Sequence, residues 1–216
     1  VKEIPVRFPS ASVELEGVLY MPEERHPDSI IVVCHPHPQY GGDMYSNVVS
    51  AVVGAATEAG LGALIFNFRG AGGSEGSFDG GKGEGEDVRA AIAFARSETG
   101  VPEVLLAGYS FGAAMAAAVV DASVTALLLV ALPPSMARAD DVGLRDYRGP
   151  VFMVSGSADH ISPAADLQAL AEALPSNPEI RVIEGADHFW WGHERALADC
   201  VRDFLSEQVR AGKRQD

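Results

Sequence analysis

The hydrophobic positions of this chain fall into two alternating kinds of segment. An opening pair, at about residues 3–8 and 13–21, alternates apolar and polar side chains as a half-exposed β-hairpin does. Six near-continuous apolar runs follow: SIIVVCHP (29–36), GALIFNF (62–68), EVLLAG (103–108), ALLLVALP (126–133), PVFMVSG (150–156) and IRVIEG (180–185). Runs of this kind suit parallel strands buried on both faces. Between them, residues 47–59, 85–97, 111–121, 163–174 and 193–210 carry a helical period. Strand and helix in alternation predict a doubly wound, mostly parallel α/β sheet of about eight strands. In such sheets ligands lie beyond the carboxyl ends of the strands, which directs attention to the residues just after each run.

The segment Gly108-Tyr109-Ser110-Phe111-Gly112 follows the run EVLLAG and opens the small-residue helix AAMAAAVV. A serine on a sharp strand-to-helix turn is forced into a strained conformation that lifts its hydroxyl above the sheet. The positions two before and two after it must then be small, as Gly108 and Gly112 are. Such a hydroxyl needs a base to take its proton and an acid to orient that base. In the chain order serine, acid, histidine, Asp159 follows PVFMVSG and His188 follows IRVIEG. Asp140 and Asp141 are the alternative acids. Asp187 adjoins His188 too closely to orient it, His160 adjoins the candidate acid, and His193 begins the last helical segment.

Attack by Ser110 would also need amide donors for the oxyanion. One is the Phe111 N–H at a helix N-terminus. The other is expected after the third strand, where Pro36 and Pro38 have no N–H. His37 is best placed there, with Gln39 and Tyr40 as alternatives. His35 and His37 do not make a zinc site, because no partner ligand motif accompanies them.

Composition then narrows the picture. The 216 residues, 47% of them hydrophobic and 21% charged, are expected to form one domain over 1–216. With 16 Lys and Arg against 30 Asp and Glu, the net charge of −14 opposes nucleic acid and anionic membranes. Two cysteines, Cys34 and Cys200, suit reduced thiols. No run reaches the length of a membrane span, so a soluble cytoplasmic protein is expected, a monomer or homodimer with no cofactor or metal.

Many of the 23 glycines fall between positions 70 and 85. Gly76, Gly81 and Lys82 imitate a phosphate-binding loop, but Gly83 stands where a Mg²⁺-binding hydroxyl is needed, and Glu84, Glu86 and Asp87 follow. A flexible surface turn is expected instead, with Arg69 and Gly70 near the active-site face and the acidic run favouring the next helix. The terminal AGKRQD is expected to fray.

Ser110, Asp159 and His188 on this strand pattern resemble the α/β-hydrolase superfamily across essentially the whole chain. RGAGGSEG resembles its R-G-x-G-x-S-x-G segment, and GADHFWW its histidine loop. HPHPQYGGDMYSNVV is similar to the small bacterial serine hydrolases near dienelactone hydrolase. That enzyme has a cysteine nucleophile where Ser110 stands here, and His35-Pro36 replaces a common H-G. The resemblance implies a serine esterase acting on a small-molecule ester through an acyl-enzyme. A thioesterase, an amidase or peptidase, and a non-catalytic binding module are the alternatives. Only residues 135–149 separate the sixth expected strand, ALLLVALP, from the seventh, PVFMVSG, so little or no cap is expected over a shallow site walled by Tyr40, Met44, Tyr45, Phe111, Phe189 and Trp190.

Overall fold

The computed structural model describes residues 1–23, 26–137 and 142–212. Its eight strands form one sheet: β1 (Lys2–Ser10), β2 (Val13–Met21), β3 (Ser29–Cys34), β4 (Gly62–Phe66), β5 (Glu103–Tyr109), β6 (Leu127–Val130), β7 (Val151–Gly156) and β8 (Glu179–Ile183). The spatial order is β1-β2-β4-β3-β5-β6-β7-β8. β1 and β2 pair antiparallel, as does β2 with β4, and every later pairing is parallel. The expected doubly wound, mostly parallel sheet is therefore present.

Successive side chains of a strand point to opposite faces, and β3 shows the consequence. Its Ile30 and Val32 enter one core with α2 (Lys82–Thr99), α3 (Phe111–Val119) and α5 (Ala164–Ala173). Its Ile31 and Val33 enter the other, with α1 (Asn47–Glu58) and α6 (Glu194–Gly212). All six residues of β3 are buried, as its apolar run predicts. β8 departs from that expectation. It pairs only with β7, its residues are exposed or half-buried, and Arg181 and Glu179 form an ion pair at 2.6 Å on its surface. Charged side chains on an edge strand discourage pairing with a second chain. Among the described residues, the β6–β7 connection contains only the short helix α4 (Val142–Asp146). Cys34 and Cys200 are both free, and Cys34 is buried in β3. No helix among the described residues is long and apolar enough to cross a membrane.

The glycine-rich segment is not the loose turn expected of it. The Asn67 amide donates to Glu16 at 2.6 Å, Ser74 Oγ donates to the Asn67 carbonyl at 2.7 Å, and the Glu75 amide donates to the Glu14 carbonyl at 2.9 Å. β2 thus stitches the segment down. Arg69 turns from the active-site face to Asp87, 2.8 Å away, whose oxygens also take the Arg69 amide and the Ser10 hydroxyl. Its guanidinium crosses where a Cβ on Gly83 would stand. Glu84 accepts the amides of Asp79 and Gly81 at 2.8 and 2.7 Å, which carries α2 back to Lys82, one turn earlier than its hydrophobic period suggests. The carboxylate therefore occupies the helix start that a phosphate would need.

His35 joins the loops after β3 and β4. The Phe68 amide donates to its Nε2 at 3.0 Å, so the proton resides on Nδ1, which donates to the Pro36 carbonyl at 2.6 Å. Burial, only partly opposed by that second bond, pushes its pKa down to about 4.

Two outcomes follow from these buried groups. Asp87→Ala removes the fully buried carboxylate that holds Arg69, leaving the guanidinium the longer ion pair to Glu86 at 3.7 Å, and should lower stability by about 3 kcal/mol in urea unfolding. His35 binds its proton more weakly folded than unfolded, so the unfolded chain takes up more protons from pH 6.5 down to about 4. Stability should fall across that window by about 3 kcal/mol on account of this residue. The urea midpoint of His35→Gln should show a correspondingly shallower loss, and equal slopes for the two proteins would exclude the effect.

Candidate active site

β5 ends in a turn whose tightness is enforced by missing side chains. A Cβ on Gly108 would collide with the Gly112 carbonyl, and one on Gly112 with the Cys34 carbonyl at the end of β3. Between them Ser110 adopts φ 54° and ψ −117°, while its amide donates to the Val130 carbonyl at 2.9 Å. A non-glycine residue so placed carries strain of about 1 to 3 kcal/mol, held by its surroundings. The hydroxyl stands at the start of α3, where the helix dipole favours negative charge.

Two further strand ends converge on it. Ser110 Oγ lies 2.9 Å from His188 Nε2, and His188 Nδ1 lies 2.9 Å from Asp159 Oδ2. Asp159 is buried, and burial alone would raise its pKa. The hydrogen bonds from His188 and from the Ser162 and Ile161 amides, at 2.7 and 2.8 Å, outweigh this and hold the carboxyl below its ordinary range. A carboxylate so held stays charged beside the imidazole. The arrangement can pass a proton from the hydroxyl to the ring while keeping the ring oriented.

The loop bearing His188 is pinned at several points. Asp187 Oδ1 accepts the Phe189 and Trp190 amides at 2.9 and 3.1 Å, which makes it a turn-forming residue and not the orienting acid. Asn47, the first residue of α1, donates to the Phe189 carbonyl at 2.9 Å. The Tyr109 hydroxyl, one residue before Ser110, donates to the His188 carbonyl at 2.7 Å. Burial, with the nearby charges of Asp159 and Asp187, raises the Tyr109 pKa and keeps that proton in place. Nothing in a single sequence singles out Tyr109 beyond its place in the G-Y-S-F-G turn.

The amides of Phe111 and His37 donate to no protein acceptor among the described residues, and both residues line the cleft that contains Ser110. The His37 ring packs 4.8 Å from that of Phe111, and its Nδ1 accepts the Gln39 amide at 3.2 Å, which opens a short turn over Pro38–Tyr40. The Tyr40 amide is engaged by the His37 carbonyl. Asp140 and Asp141 lie outside the described residues. His160 is exposed, and His193 Nδ1 contacts the Trp191 carbonyl at 3.3 Å.

The cleft measures about 630 Å³. Tyr40, Phe111 and Phe189 line it as expected, whereas three other expected wall residues stand elsewhere. Met44 is buried among the α1-side core, Tyr45 is exposed outside the cleft, and Trp190 is wholly buried in the same core as Met44. Trp191 takes the wall position instead, 74% exposed, joined by Met136 and Ile161. Trp190 sits at φ 63° in a turn, which sends adjacent tryptophans in opposite directions, and a W-W pair by itself does not say which one enters the core.

Comparison with known proteins bears on the family and the fold. Residues 81–207, more than half of the chain, match the model of the dienelactone hydrolase family. An uncharacterised protein of Rickettsia prowazekii is 31% identical over 185 residues, covering 82% of this chain and 78% of its own length. An alpha-beta serine hydrolase homologue from Coxiella burnetii is 31% identical with a TM-score of 0.84, covering 94% of this chain and 97% of the other. An α/β serine hydrolase without lid from Xanthomonas campestris is 28% identical with a TM-score of 0.85, covering 98% and 95%. With the family model covering residues 81–207 and the Rickettsia relative matching 82% of the chain, the chain belongs to the dienelactone hydrolase family and has the fold of an α/β serine hydrolase.

Proposed function

We propose that the protein hydrolyses small or short-acyl carboxylic esters through an acyl-enzyme on Ser110. The observation that carries this reading is the unbroken line of two 2.9 Å contacts from Ser110 Oγ through His188 to Asp159 at the carboxyl ends of β5, β8 and β7. In the first step His188 Nε2 takes the Ser110 proton as Oγ attacks the ester carbonyl. Asp159 stabilises the imidazolium that forms. The Phe111 and His37 amides hold the oxyanion, a role supported by their lack of a protein acceptor among the described residues. Collapse expels the alcohol, which takes the proton from His188. Water then enters, gives a proton to His188, and attacks the acyl group; the acid leaves as the proton returns to Ser110 Oγ.

A fluorophosphonate probe should form an adduct located at Ser110 by mass spectrometry. Ser110→Ala should cut turnover of p-nitrophenyl esters about 10³- to 10⁶-fold with an unchanged circular dichroism spectrum. Wild-type rates in that variant would refute the assignment. Asp159→Asn should lose on the order of 10⁴-fold, because the wrong tautomer of His188 is then favoured. Tyr109→Phe releases the His188 carbonyl from its pin. We expect kcat to fall about tenfold to a hundredfold with KM little altered, since the substrate-contacting surface is kept while the imidazole loses its register.

A further inference from the structure

The chemistry of the cleft walls bears on the kind of ester it receives. β5, which carries Ser110, has β3 on one side and β6 and β7 on the other. The loop after β3 brings Tyr40 to the cleft from one side; the loops after β6 and β7 bring Met136 and Ile161 from the other. Phe189 and Trp191 close a third wall from the loop after β8. These five side chains are between 45% and 87% exposed, so the site offers apolar surface to solvent on both sides of the hydroxyl. Covering such surface with an apolar group is favourable in proportion to the area removed from water.

The same walls hold no Lys, Arg, Asp or Glu among the described residues. His37 supplies no counter-charge: burial lowers its pKa, and its Nδ1 is occupied by the Gln39 amide. At the neighbouring glycine-rich segment, Arg69 is committed to Asp87, and neither Arg69 nor Lys82 lines the cleft. A carboxylate bound against these walls would shed water without gaining a cationic partner among the described residues, within the field of a chain of net charge −14.

We propose that the cleft selects uncharged esters carrying apolar groups on both sides of the scissile carbonyl, and rejects those whose acyl or alcohol part ends in a carboxylate. The proposal rests on Ser110 as nucleophile and deepens that reading. Two matched pairs test it. p-Nitrophenyl hexanoate against mono(p-nitrophenyl) adipate probes the acyl side, and phenyl butyrate against 4-carboxyphenyl butyrate the alcohol side, each rate divided by spontaneous hydrolysis.

The uncharged member of both pairs should have the higher kcat/KM by about tenfold or more. The preference should persist in 1 M NaCl, where the screening length is about 3 Å and the distant surface charge no longer acts. Met136→Lys, which adds a cation to one wall, should narrow the preference in at least one pair. Trp191→Ala, which removes apolar wall without adding charge, should lower kcat/KM for the uncharged esters more than for the charged ones. Comparable rates within the pairs would overturn the proposal, as would a preference that vanishes in salt or one that neither variant alters. Failure of the underlying reading is separate: no ester of either kind would be turned over, and no fluorophosphonate adduct would form on Ser110.

Discussion

Ser110 holds a backbone conformation that a residue with a Cβ adopts only when its neighbours leave no other, and much of the architecture is arranged to impose it. Gly108 and Gly112 let the end of β5, the start of α3 and the end of β3 approach to backbone contact. The Val130 carbonyl of β6 takes the Ser110 amide. Ala113, Ala114, Ala116 and Ala117 of α3 are buried and allow the helix to sit as close as the turn demands. One strained residue is thereby tied to three adjacent parallel strands, so the hydroxyl is displayed by the rigid centre of the sheet and not by a loop that could relax.

The other groups of the site come from loops, and their placement depends on hydrogen bonds between segments far apart in the chain. The His188 turn is held by Asp187 within itself, by Asn47 from α1 and by Tyr109 from the strand that carries Ser110. The last of these links the two members of the candidate proton path through a single side chain. The loop after β3 is held by His35, whose two ring nitrogens join it to the start of the glycine-rich segment. Several members of the acidic surplus serve this same purpose: Glu16, Glu84 and Asp87 receive amides and a guanidinium from that segment. The acidic surplus thus organises the chain at short range.

The fold and the candidate triad were legible because each rests on a local pattern. β3 through β7 are runs of buried residues, and the elbow is five consecutive residues between a strand and a helix. Asp159 and His188 were found because strand ends in a parallel sheet share one rim. β8 misled because IRVIEG reads as apolar while its position at the sheet edge leaves it largely exposed. The glycine-rich segment read as loose because its partners Glu14 and Glu16 lie on β2, more than fifty residues earlier.

The pocket was the least legible feature. Met44, Tyr45 and Trp190 are as aromatic or apolar as the residues that do line it, and only the turn around Trp190 settles that Trp191 faces the cleft. The sequence by itself determined the strand and helix periods, the strained serine turn and the order of serine, acid and histidine, since these depend on neighbours within a few residues. Tertiary structure alone decided which side of each loop faces the cleft, which carboxylates are buried and paired, and where the candidate oxyanion donors stand. Those outcomes depend on hydrogen bonds and packing between segments that meet only when the sheet is complete.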